Sequence, residues 1–130
     1  MKKLILLSYL YLALSCSSDS NSSNNSHAFH PPSWIRGTWN NGVGNGYKFT
    51  SNDFCSIIST TQFCNKETLD SYVQSGMDVS VDETISSTEY IFSIDTEGAI
   101  QNYDFIKINA DEIEMVNPNP SLPNATFYRD

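Results

Sequence analysis

From Tyr47 onward, apolar and polar positions alternate with period two over most of the chain, the signature of strands with one buried face. Tyr47-Lys48-Phe49-Thr50 follows the Gly/Asn cluster Asn40–Gly46, whose residues tolerate the positive φ of a turn. Upstream of that turn, Trp34–Asn40 reads as a first strand. Cys55 and Cys64 bracket a β-branched stretch with a polar centre, which folds as a hairpin about Ser59-Thr60. Glu89–Asp95 sets Tyr90, Phe92 and Ile94 on one face, and Ala99–Ile108 returns after Asp95-Thr96-Glu97-Gly98 with Tyr103 and Phe105 inward. Glu112–Val116 turns Ile113 and Met115 inward, Asn117–Pro123 is a proline-rich loop, and Ala125–Arg129 is the last strand. The period changes once. Leu69, Tyr72, Val73 and Met77 recur at helical spacing, which predicts a short helix over Lys66–Gln74, capped by Asn65 or Thr68, closed by Gly76 and packed on the sheet. Seven or eight short strands at hairpin spacing, with one short helix and no βαβ alternation, predict a mainly β domain. A small antiparallel meander closing into a barrel is the economical form, because closure removes free edges.

The N-terminus has a different texture. Lys2-Lys3 precedes an apolar run from Leu4 to Leu14, then Ser15 and Cys16, the form of a secretory signal peptide. A helix of that run would be roughly 16 Å long, far short of a ~30 Å hydrocarbon core. Ala13-Leu14-Ser15-Cys16 resembles the lipobox of bacterial lipoproteins, which implies cleavage after residue 15 and acylation of Cys16; the other reading is an ordinary cleaved signal with a coincidental cysteine. Residues 17–26 carry no apolar side chain, so nothing there offsets the entropy of ordering. Residues 16–33 are therefore expected to be an anchor and tether with a reach of roughly 20–25 Å, and residues 34–130 the folded domain. A lipobox followed by a Ser/Asn/Asp tether is similar to lipoproteins of the Bacteroidetes, and Ser17-Ser18 in place of aspartate resembles those passed to the outer membrane. The implied partner is a lipid bilayer, reached through Cys16, with either membrane face open.

Assigning Cys16 to lipid leaves Cys55 and Cys64, which the hairpin sets opposite one another. A disulfide fits the oxidising compartment that a signal peptide implies, and two buried free thiols are the alternative. Their spacing suits neither a redox C-x-x-C pair nor a zinc site. The chain has 15 acidic and 7 basic side chains; loss of Lys2 and Lys3 leaves 5 basic groups and a net charge near −10. That sign disfavours nucleic acid, whose phosphates need a basic surface.

Gly37-Thr38-Trp39 on the first strand resembles the G-x-W element of lipocalins and their calycin relatives. The resemblance implies a tryptophan plugging one end of the barrel beneath an arginine from a late strand, here Trp39 and Arg129. Pro32–Trp39 together with Tyr47–Asp53 also resembles small flavobacterial lipoproteins described as lipocalin-like. In such a barrel Trp39, Tyr47, Phe49, Tyr90, Phe92, Tyr103 and Phe105 would line the interior. Either they bound a pocket for a small hydrophobic ligand, or they fill the core themselves. The first reading makes the protein a ligand-holding lipoprotein. The second makes it an interaction or inhibitor module working through its acidic outer face or the loops Asn40–Gly46 and Asn117–Pro123. Both histidines, His27 and His30, fall in the expected tether, so no general base or metal site is expected in the body. Glu112 and Glu114 alternate onto the solvent face. Neither enzymatic activity nor a cofactor is expected.

Overall fold

The computed structural model describes residues 27–130; the expected signal peptide (1–15), Cys16 and tether residues 17–26 lie outside the described residues. Nine strands form one antiparallel sheet: β1 (Gly37–Asn40), β2 (Gly46–Phe49), β3 (Phe54–Ile58), β4 (Thr61–Cys64), β5 (Val79–Ile85), β6 (Glu89–Thr96), β7 (Ala99–Asn109), β8 (Glu112–Met115) and β9 (Ala125–Arg129). One helix, α1 (Asn65–Gln74), joins β4 to β5. The strand order is β4-β3-β2-β1-β9-β8-β7-β6-β5, so two meanders are zipped together where β1 pairs with β9. The sheet curls into a half-barrel whose two edges, β4 and β5, are not hydrogen-bonded to each other; α1 spans the gap between them.

The ninth strand is β5, which sequence reasoning passed over. Val79 and Val81 point into the core, while Asp82 and Glu83 disguise the alternation. The expected first strand is shortened to β1, because the chain turns over Pro32–Ile35 (Ile35 N–H to Pro32 O, 3.1 Å) and buries Ile35. The Cys hairpin turns at Ser59-Thr60, both with positive φ (48° and 71°), and Cys55 stands opposite Cys64. A disulfide joins them.

Helix α1 departs from expectation at its start and on its outer face. Neither Asn65 nor Thr68 caps it. Asp53, from the turn before β3, accepts the Lys66 N–H at 2.9 Å, while Asn65 donates its side chain to Phe54 O. A distant carboxylate thus supplies the negative charge that a helix N-terminus favours. Of the expected apolar stripe, only Leu69 is buried; Tyr72 and Val73 are exposed and Met77 packs at the core's margin. Gly76, at φ +87°, ends the helix with its N–H on Val73 O.

The domain boundary expected at Trp34 needs correction. Phe29 and Pro31 are fully buried, and Phe29 packs edge-on against Phe92 (centroids 5.7 Å) and against Phe54 (6.3 Å). These contacts bridge β3 and β6 across the gap between the sheet edges. Residues 27–33 are therefore part of the fold, a strap that closes what the strands leave open. A single phenylalanine between a Ser/Asn run and two prolines carries no periodicity, which is why its burial was invisible locally.

Candidate functional site

The interior is built from rings. Tyr47 and Phe49 on β2, Phe54 on β3, Tyr90 and Phe92 on β6, and Tyr103 and Phe105 on β7 project inward, the paired rings of each strand standing two residues apart. They pack on one another: Phe49 meets Phe105 edge-on at 5.1 Å, Phe54 meets Phe92 at 5.0 Å, and Phe92 stacks on Tyr103 at 4.9 Å. Edge-to-face and offset contacts at this spacing are those aromatic quadrupoles prefer. Trp39, Phe49, Tyr90, Phe92 and Phe105 expose at most 1% of their surface, so these five candidate pocket residues adjoin no solvent-sized space. Of the two arrangements open from the sequence, a lined pocket or a filled core, packed side chains surround these five. Tyr47 and Tyr103 differ. Both are partly exposed at the rim, where Tyr47 joins Asn45, Ser56, Ile58 and Phe127 around an open depression. Burial raises the Tyr47 and Tyr103 hydroxyls above the ordinary tyrosine range, Tyr47 also through its neighbour Tyr103.

At the other end, Trp39 and Arg129 are register partners across the β1–β9 seam. The guanidinium carbon lies 4.1 Å from the Trp39 ring centroid, a cation–π contact. Arg129 also donates to three carbonyls: Arg36 O at 2.7 Å, Trp34 O at 3.0 Å and Ala110 O at 3.0 Å. Trp39 in turn donates its indole N–H to Ile35 O at 2.7 Å. One tryptophan and one arginine thus bind residues 34–36, β1, β9 and the β7–β8 turn together. Gly37 is required here: its φ is +127°, and a Cβ would sit 2.7 Å from the Arg129 Nη1 atom.

Both histidines, assigned from sequence to the tether, are engaged by the body. His27 Nε2 lies 2.9 Å from Asp70 Oδ1 on α1. His30 donates its backbone N–H to Glu83 Oε1 at 2.7 Å, and its Nδ1 lies 2.8 Å from Glu83 Oε2. Glu83 also accepts the Tyr90 hydroxyl at 2.6 Å. Burial, then the hydrogen bond to Glu83, pushes the Tyr90 hydroxyl far above its ordinary value. Asp70 is held below the usual carboxylate range chiefly by the hydrogen bond from Lys66, with His27 adding to it. No sequence signal joined His30 to Glu83; only the fold brings them together.

The disulfide adjoins the N-terminus of α1, which Cys64 immediately precedes, with Asp53 beside it. The sulfurs are bonded to each other, so this cluster offers a metal no thiolate, and Asp53 is already committed to the helix N-terminus. On the convex face, Glu89, Asp104, Glu112 and Glu114 stand among outward-facing side chains of β6–β8. Burial, then the nearby Glu89, raises the Asp104 carboxyl above its ordinary value.

Searches against known protein families, characterised proteins and solved structures found no match.

Proposed function

We propose that the chain is an envelope lipoprotein, cleaved after residue 15, acylated at Cys16 and held at the outer membrane, whose half-barrel serves as a rigid interaction module. The filled aromatic interior carries this reading. A carrier needs space for its ligand beside the rings, whereas a module that binds through its exterior gains from a core packed like a crystal. The convex face of β5–β8, bearing Asp82, Glu89, Asp104, Glu112 and Glu114 on a strongly acidic chain, suits a partner with a basic surface, since complementary charge speeds and orients encounter. No enzymatic role is part of the proposal.

The second reading is a lipocalin-like binder of a small hydrophobic molecule. It is favoured by the partly exposed Tyr47 and Tyr103 at the rim. Native mass spectrometry of the chain from Cys16 onward, with Cys16→Ser and made in an oxidising compartment, separates the two. A bare mass, lighter than the reduced chain by two hydrogens, is expected. A reproducible adduct lost on denaturation would overturn the filled-module reading in favour of the binder.

A further inference from the structure

The end of the half-barrel that carries the β1–β2, β3–β4 and β8–β9 connections has an unusual surface. Residues 41–45, 58–61 and 116–124 contain no Asp, Glu, Lys or Arg in a chain with 15 acidic side chains. The sheet order sets these three connections side by side, and they are joined in part by hydrogen bonds: Thr60 N–H to Gly44 O at 3.1 Å and Ser59 N–H to Asn45 Oδ1 at 3.0 Å. From this sector project Val43, Ile58 and Leu122, exposed by 76%, 57% and 54%.

The backbone beneath these tips is already satisfied to a large degree. Asn41 Oδ1 accepts the Val43 and Asn45 N–H groups, Asn124 Oδ1 accepts Asn117 N–H, and Asn119 O accepts Leu122 N–H. Pro118, Pro120 and Pro123 have no N–H to satisfy. Such loops lose little on leaving water, since the usual penalty is the cost of unpaired backbone groups. Charged groups that approach the sector are tied back, Asp130 to Asn40 and Glu114 to Asn124. The Asp95–Glu97 hairpin is acidic, but it belongs to the β6–β7 side of the rim.

We propose that this uncharged sector is a bilayer-contact surface, with Val43, Ile58 and Leu122 entering the headgroup–acyl boundary of a phospholipid membrane. Charge decides the occupant. An anionic leaflet repels the acidic faces of the domain, and this sector can approach without that repulsion. The tips are aliphatic, suited to acyl chains; a sugar surface would call for exposed rings to stack on. Three such side chains bind weakly alone, so the contact rests on the reading that Cys16 anchors the chain and raises its effective concentration at the surface. It would leave the acidic convex face free for a partner.

The test supplies the anchor chemically, so failure of acylation in the cell and failure of this inference are distinguishable. The chain from Cys16 onward, its other two cysteines bonded to each other, is coupled through Cys16 to a maleimide lipid in phosphatidylcholine–phosphatidylglycerol vesicles, with and without lipids doxyl-labelled near the headgroup. In a Leu122→Trp variant the added fluorescence should be quenched about twofold, given the ~5–10 Å depth of interfacial side chains. The unsubstituted chain reports the opposite end through the partly exposed Trp34 (Trp39 being buried) and should not be quenched. Adding Val43→Asp and Ile58→Asp should abolish quenching of the introduced tryptophan while the melting curve of the domain stays in place. No quenching of that tryptophan, equal quenching of both ends, or quenching that survives the two aspartates would overturn the proposal. So would a shift of its emission by a soluble neutral oligosaccharide without vesicles, which would mark a glycan surface instead.

Discussion

Truncating Phe29 to alanine separates a structural strap from a tether. If residues 27–33 were solvated, Phe29→Ala would change stability by no more than a typical surface substitution, within about 0.5 kcal/mol. Phe29 is instead wholly buried between Phe54 and Phe92. A buried phenylalanine removes roughly 150–250 Å² from water, which at about 25 cal/mol per Å² corresponds to about 4–6 kcal/mol. That figure is an upper bound because unfolded chains are partly compact, and alanine retains part of the contact. The expected loss is therefore about 3–5 kcal/mol, the range measured for phenylalanine truncation in cores. Since each kcal/mol moves the midpoint of a domain this size by about 4–8 °C, thermal unfolding should fall by well over about 10 °C. Urea unfolding followed by tryptophan fluorescence gives the free energy directly. Phe29→Leu should recover most of it. A Phe29→Ala midpoint within error of the parent would refute the strap and restore the boundary at Trp34.

Two further outcomes follow from the seam and the interior. Gly37→Ala must adopt a left-handed backbone and displace the Arg129 guanidinium, so a loss of about 2–4 kcal/mol is expected, measured by the same urea titration; Thr38→Ala next to it should be nearly neutral. At high pH, the Tyr90 hydroxyl keeps its proton in the folded state while an unfolded tyrosine releases it near pH 10.0. Stability contributed by this group is intact below pH 10 and declines above it, by up to about 1.4 kcal/mol per pH unit. Urea midpoints should therefore drop more steeply in the parent than in Tyr90→Phe between about pH 10 and 12, and parallel slopes would sink the assignment.

Much of the sheet was legible because its signals are local. Tyr90-Ile91-Phe92-Ser93-Ile94 alternates without interruption, and the two cysteines flank a hairpin whose centre is polar. The parts that escaped depend on partners far away in the chain. In β5, Asp82-Glu83-Thr84 reads as a solvated run, yet Glu83 turns inward because Tyr90 and His30 supply its hydrogen bonds. Phe29 is a single aromatic between the Ser/Asn run and Pro31-Pro32, and its pocket is made by β3 and β6. The cap of α1 comes from Asp53, which lies outside any local capping pattern. Whether the inward rings enclose a space or fill it also lay beyond periodicity, since alternation gives the direction of a side chain and not the distance to the one it faces.

The seam between β1 and β9 sets an order of events. Trp39 and Arg129 are partners across almost the full length of the folded region. Closing so long a loop costs entropy that grows as the logarithm of its length, and contacts of this kind form late. The hairpins of β1–β4 and the meander of β5–β8 need only near neighbours, so each can assemble while β9 is missing. A chain emerging N-terminus first would thus present two separate half-sheets until residues 125–129 arrive, and only then would Arg129 reach Trp39 and tie down the carbonyls of Trp34 and Arg36.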